Sequence, residues 1–253
     1  MERSEQPDHL GDEEYVVDKP DKIVTAMKLG IVFVLVCILC LAIYAVLVGA
    51  VSPVAPRTLA ETSLLQAQAS VKRWPGSGKA WAALAGALYS TGDQEGGWKA
   101  IKQGQTLVKD QTVLWVNAKE LDFLIYEKKD SLAASRAADA IKTEAKFRVK
   151  EMTDEAKTGI SEPQQNNPEQ NESIRLFVLK ATAEGNLGRW KDATKTLTTA
   201  LELSSMAADI IEMRGWAELK AGDKTAAVKD FKRALIYIPD NANAKQGLAE
   251  ASK

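Results

Sequence analysis

Gly188 and Gly222 stand 34 residues apart, and Ala193 with Ala227, Leu197 with Phe231, and Ala200 with Ala234 repeat that spacing. A period of this length, carried by small residues around one bulky apolar residue, confines the chain to stacked units of two helices. One such unit cannot bury its own apolar face. Neighbours have to cover it, and a last helix has to close the stack. Small residues at the crossings let two backbones approach while the bulky residue fills the space between pairs. The glycine closes the first helix by taking the left-handed conformation. Alternating β-branched runs bounded by turns are absent from the sequence, so the expected class is all-α.

The pattern extends beyond those four pairs. In the unit starting at Ala208, Gly215 is the small residue of the first helix and Gly222-Asp223 the turn. Ala227, Phe231 and Ala234 form the packing face of its second helix, and Pro239 follows it. The unit starting at Ile174 offers Phe177, Ala181, Gly188, Ala193, Leu197 and Ala200. A third, between Trp81 and Asp110, carries Trp81, Leu84, Ala85 and Leu88, then Gly92-Asp93, Gly97, Ile101 and Gly104. A fourth, from Thr112, keeps Trp115 and Ala118 but has its turn displaced to Lys129-Asp130. These units resemble the tetratricopeptide repeat. The resemblance implies an α-solenoid of four helical hairpins, capped by a helix over Asp240 to Ala251 with Ala244, Leu248 and Ala251 on one side. Gly92 to Gly188 is 96 residues, short of three whole periods, so the register breaks between them. Residues 131–160 read as one or two long helices.

Residues Leu29 to Val51 form a run of 23 without a charge. At about 1.5 Å per residue this spans roughly 34 Å, enough for a bilayer core. Lys19, Lys22 and Lys28 precede the run, and Arg57 is the only basic residue in the twenty positions after it. The positive-inside rule then puts the N-terminus in the cytoplasm and the rest outside. A cleaved signal peptide, with Val48-Gly49-Ala50 as cleavage site, is the competing reading; the run is longer than the usual apolar region of such a peptide. The expected organisation is an acidic disordered tail (1–28), a transmembrane helix (29–51), a linker (52–57), a helical repeat block (58–160), an exposed mobile loop (161–173), and a repeat pair with its cap (174–253). The loop is expected because 161–173 holds two prolines and no large apolar residue. Asn171-Glu172-Ser173 inside it matches a glycosylation sequon, a short pattern with little specificity.

The chemistry-bearing residue types are sparse. His9 is the only histidine of the 253 residues, and both cysteines, Cys37 and Cys40, fall in the apolar run. That excludes a histidine-based triad, a His/Cys zinc site and disulfides in the main domain. The chain carries 33 Lys+Arg against 34 Asp+Glu and lacks a basic stripe, so nucleic acid is not an expected partner. No Gly-rich phosphate loop and no nucleophile–base pair is present, so the chain is not expected to be an enzyme or to hold a cofactor or metal. The expected function is a membrane-anchored scaffold that binds protein partners or peptide segments on the extracytoplasmic face, assisting envelope protein assembly. The alternative is a fixed subunit of a membrane complex of the secretion or cytochrome c maturation type.

In this family, partners lie in the groove lined by the first helices. The resemblance places Lys79, Ala82, Gly86 and Tyr89 there, then Val113, Val116, Glu120, Phe123 and Leu124. Arg175, Val178, Thr182 and Asn186 follow, then Asp209, Glu212, Trp216 and Leu219. The Lys/Asn/Arg clamp by which some relatives hold a terminal carboxylate is not reproduced, since Ala82, Gly86, Val116 and Glu120 stand in its positions.

Overall fold

The computed structural model describes residues 20–51, 58–158 and 168–253. Residues 1–19 of the expected tail, the linker 52–57, residues 159–160 at the end of the expected helical block and residues 161–167 of the expected loop lie outside the described residues. Every regular element among the described residues is a helix, and the chain divides into two units, residues 1–55 and 56–253. The first unit holds α1 (Pro20–Val51), which takes in residues 20–28 as well as the apolar run. Its described apolar side chains face outward; Phe33 is 69% and Leu41 67% exposed. Side chains of α1 are described at 25–41 and 43–44, and among the described residues no helix is long and apolar enough to cross a membrane.

The second unit contains α2 (Leu59–Arg73), α3 (Gly78–Ser90), α4 (Gln94–Leu107), α5 (Val113–Tyr126), α6 (Asp130–Thr158), α7 (Pro168–Asn186), α8 (Trp190–Leu203), α9 (Ala208–Ala221), α10 (Lys224–Tyr237) and α11 (Ala242–Ala251). Helices α3 to α10 pair into four hairpins with equivalent elbows. Gly92, Lys128, Gly188 and Gly222 are the described residues with positive φ, at 94°, 59°, 72° and 92°. After each elbow the next N–H returns to a carbonyl five residues back: Asp93 to Leu88 (3.0 Å), Lys129 to Leu124 (2.8 Å), Arg189 to Glu184 (2.8 Å) and Asp223 to Glu218 (2.9 Å).

The elbow steps along the chain are 36, 60 and 34 residues. The stack is continuous across the irregular part, because α5 packs on both α6 and α7. Most of the long step is absorbed by helix length: α6 has 29 residues and α7 has 19, against 13 or 14 in the other hairpin helices. Residues 168–173, expected in a loop, lie in α7 instead. Helix α7 begins at Pro168, where a first-turn proline costs no hydrogen bond. It buries Glu172 and Ser173, and the Glu172 carboxylate accepts from Arg175 at 2.9 Å. A buried polar pair leaves no apolar signature to read.

Packing follows one rule, a small residue against a ring or branched chain. A Cβ added at Gly247 of α11 would stand 2.3 Å from the Phe231 ring, and one at Gly215 of α9 would stand 3.0 Å from it. Phe231 is fully buried between them. At the other end Gly104 of α4 meets Trp81 and Val116 in the same way. The cap is α11, with Ala244 and Ala251 buried and Asn241 capping its first turn.

Two stability changes follow. Lys128→Gly relieves a left-handed non-glycine residue and raises stability by about 0.5–1 kcal/mol, read as an upward shift in thermal midpoint. Gly247→Ala forces the Phe231 ring aside and lowers stability by about 1–3 kcal/mol, read by chemical denaturation.

Candidate partner-binding groove

Helices α2, α3, α5 and α7 enclose an open groove of about 710 Å³. Its floor is α3, where Ala82, Ala83, Gly86 and Ala87 present almost no side-chain bulk. One wall is α2, through Ser63, Gln66, Ala67 and Ser70. The other carries Trp115 and Lys119 of α5 and Arg175 of α7, with Lys79 at the start of α3. Lys79 Nζ sits 5.2 Å from the centre of the Trp115 ring, a cation–π contact. Trp115 Nε1 is buried with no acceptor. Asp122 ties two hairpins together, accepting from Lys119 at 3.0 Å and from Arg175 at 2.5 Å. Burial pushes the Glu172 carboxyl above its usual range, against the pull of Arg175.

The sequence-derived positions divide sharply. Lys79, Ala82, Gly86 and Arg175 line this groove. Tyr89 closes one end of α3: its ring stacks on Phe123 at 4.0 Å and its hydroxyl donates to Glu127 at 3.1 Å. The Trp98 Nε1–H donates to the same Glu127 oxygen at 2.9 Å, and Lys129 to the other at 2.7 Å. Led by the Lys129 bond, these donors hold the Glu127 carboxyl below its usual range.

Val116 and Phe123 are not groove residues. Both are core, packed with Trp81, Ala85 and Ile101. Glu120 turns away as well, accepting from Gln105 at 2.7 Å and lying 3.6 Å from Arg136. The cause is the 36-residue first step: two extra residues rotate α5 by about 200°, which exchanges its inner and outer faces. Counting back from the Lys128 elbow instead brings Trp115 and Asp122 inward. The displaced Lys129-Asp130 turn was the available signal, and a uniform period conceals it.

The later candidates lie apart from this groove. Val178 and Leu219 are half-buried against the C-terminal core. Thr182 donates to its own helix at Val178 O, and the exposed Asn186 donates to Asp130 at 2.7 Å. Glu212 accepts from Asn241 at 2.6 Å, and the Trp216 ring meets Phe231 edge-on at 5.3 Å. Val178, Thr182 and Asn186 lie on α7 and Glu212, Trp216 and Leu219 on α9, with α8 packed against both helices.

Helices α9 and α10 share a half-buried charge cluster. Arg214 binds Asp230 through Nε (2.6 Å) and a terminal nitrogen (2.9 Å). Glu218 lies 3.8 Å from the same guanidinium, and its Oε2 is buried with no hydrogen-bond partner. Burial first, then the neighbouring Asp230 charge, pushes the Glu218 carboxyl up to about 7.

No protein-family model matches the chain. Solved structures do. A double mutant of MamA aligns at 11% identity over 72% of this chain and 87% of its own, with a TM-score of 0.50. PilF of Pseudomonas aeruginosa aligns at 14% identity over 76% and 81%, with a TM-score of 0.53. A further MamA structure aligns at 12% identity over 74% and 98%, with a TM-score of 0.50. These are tetratricopeptide proteins, and the fold of this chain is a tetratricopeptide-like α-solenoid.

Glu218 sets a pH dependence with a definite sign. Its folded pKa lies above the unfolded value of 4.5, so its contribution is full below pH 4.5 and is lost as pH rises through about 7. Glu218→Gln should leave the thermal midpoint unchanged near pH 4 and raise it at pH 8. The gain is on the order of 1 kcal/mol after screening, or about 2–4 °C.

Proposed function

We propose that this chain is a non-enzymatic scaffold, held at a membrane by α1 and binding protein partners on the extracytoplasmic face, where it assists envelope protein assembly. The carrying observation is the open groove on α3. A floor of alanine and glycine flanked by cations and one indole offers close backbone approach, charge and an aromatic anchor, which is what a peptide-sized segment needs. The resemblance to tetratricopeptide proteins supports protein partners as the class of ligand. The anchor rests on the sequence, on the run of 23 uncharged residues from Leu29 to Val51. Orientation rests on Lys19, Lys22 and Lys28 before that run against Arg57 after it. Residues 1–28 would then be cytoplasmic and residues 58–253 outside.

A photoreactive residue at Ala83, in the groove floor, and a second at Trp216 should crosslink several substoichiometric proteins in cells. A single stoichiometric neighbour at both would make the chain a fixed subunit instead. Protease added to spheroplasts should remove the C-terminal domain and spare an N-terminal tag; the opposite pattern reverses the topology.

A further inference from the structure

One level of the hairpins carries different chemistry in each repeat. It comprises the residues eight and four before an elbow and the residue eight after it. In the first hairpin these are Leu84, Leu88 and Ala100, all part of its apolar core. In the second they are Glu120, Leu124 and Arg136, one carboxylate 3.6 Å from one guanidinium. In the third they are Lys180, Glu184 and Thr196. Lys180 donates to both of the others, and the Thr196 hydroxyl donates to the second Glu184 oxygen at 2.7 Å. Charge balances in all three. The fourth holds Arg214, Glu218 and Asp230, so a carboxylate stands where the third has a hydroxyl. Arg214 turns two nitrogens to Asp230, at 2.6 and 2.9 Å. Glu218 is left 3.8 Å away, with one buried oxygen that has no hydrogen-bond partner.

We infer that Asp230 makes the last hairpin a proton-gated element: α9 and α10 close on one proton held by the Glu218 and Asp230 carboxyls, and loosen together with α11 when it leaves to solvent. The inference stands apart from the scaffold reading. Two carboxylates against one guanidinium leave a surplus negative charge at an enclosed site, and neutralising one of them removes it. Burial, with the Asp230 charge next, raises the Glu218 carboxyl to about 7. The closed hairpin binds the proton more tightly than the open one, so closure is strongest in acid and is lost as pH rises through about 7. His9 is the only histidine of the chain, so no imidazole of the hairpins titrates in that range. Asp223 at the elbow adds a negative charge near Glu218, and Lys229 of α10 a positive one. From α8 the neighbour is Thr198, which accepts from Arg214 at 3.2 Å, while Lys191, Asp192, Lys195 and Glu202 are exposed. On α11, Lys245 pairs with Asp240 and Glu250 accepts from Gln246. Each hairpin touches only its neighbours, so the loosening stays at this end of the stack. Trp216 meets Phe231 across the same α9–α10 contact and moves with it.

The test follows amide hydrogen exchange by mass spectrometry on the full chain in lipid nanodiscs, at pH 6 and pH 8, corrected for the intrinsic effect of pH on exchange. Peptides from α9, α10 and α11 should exchange about fivefold faster at pH 8, and those from α3, α4 and α5 should not change. Asp230→Thr gives the fourth hairpin the chemistry of the third and should abolish the rise. Thr196→Asp makes the reverse exchange and should install a rise in α7 and α8. Glu218→Gln should also abolish the rise in α9 to α11, and it decides the matter should either exchange fail to fold by circular dichroism. A rise that survives Asp230→Thr or Glu218→Gln overturns the proposal, as does its absence from the unaltered chain. A folded Thr196→Asp variant with no new rise overturns it too. So does a rise spread equally over α3 to α11, which would belong to the whole stack rather than to its last hairpin.

Discussion

The second unit is held together by rings set against glycine. Phe231 reaches its fully buried position because α9 and α11 both present a glycine to it, and neither could come so close with even a methyl group in the way. Trp81 and Val116 press on Gly104 in the same fashion, and Trp190 on Gly185. The apolar surface removed from water at each contact is modest, but the contact also fixes the separation of three helices at once. The left-handed elbows, the spacing of hairpins and the depth of the groove are all set by that separation.

Such a rule leaves a strong imprint on sequence wherever it is obeyed at constant spacing. The last two hairpins, the elbows at Gly188 and Gly222, and the cap over α11 were legible because glycine, alanine and one bulky residue recur at fixed offsets. The second hairpin was legible only as a degenerate unit with a displaced turn, and its facing was misread, for a physical reason. Its elbow is Lys128, a residue that bears the left-handed conformation without announcing it, and the two-residue excess before it turns α5 over. Val116 and Phe123 consequently changed from expected ligand contacts to core. Residues 168–173 were misread for a related reason, because burial there is accomplished by a salt-linked glutamate and a serine rather than by hydrocarbon.

Electrostatics divides the unit into two ends of different character. Around the groove, carboxylates are bridged: Asp122 joins α5 to α7, and Glu127 gathers donors from Tyr89, Trp98 and Lys129. Those contacts lock hairpins to one another. At the other end Arg214 must serve both Asp230 and Glu218, and the second carboxylate is left poorly matched. Strong pairing and deficient pairing therefore coexist within one stack.

The oversized pair α6 and α7 shows how such an array accommodates extra chain. Their additional turns lie at the ends remote from the elbow side, so Lys128 and Gly188 still close hairpins of the ordinary kind. Material inserted along a helix axis adds a protrusion and leaves the order of stacking intact, whereas two residues inserted before an elbow rewrite a whole surface. Tolerance to insertion in this architecture is thus a matter of direction, generous lengthwise and severe in rotation.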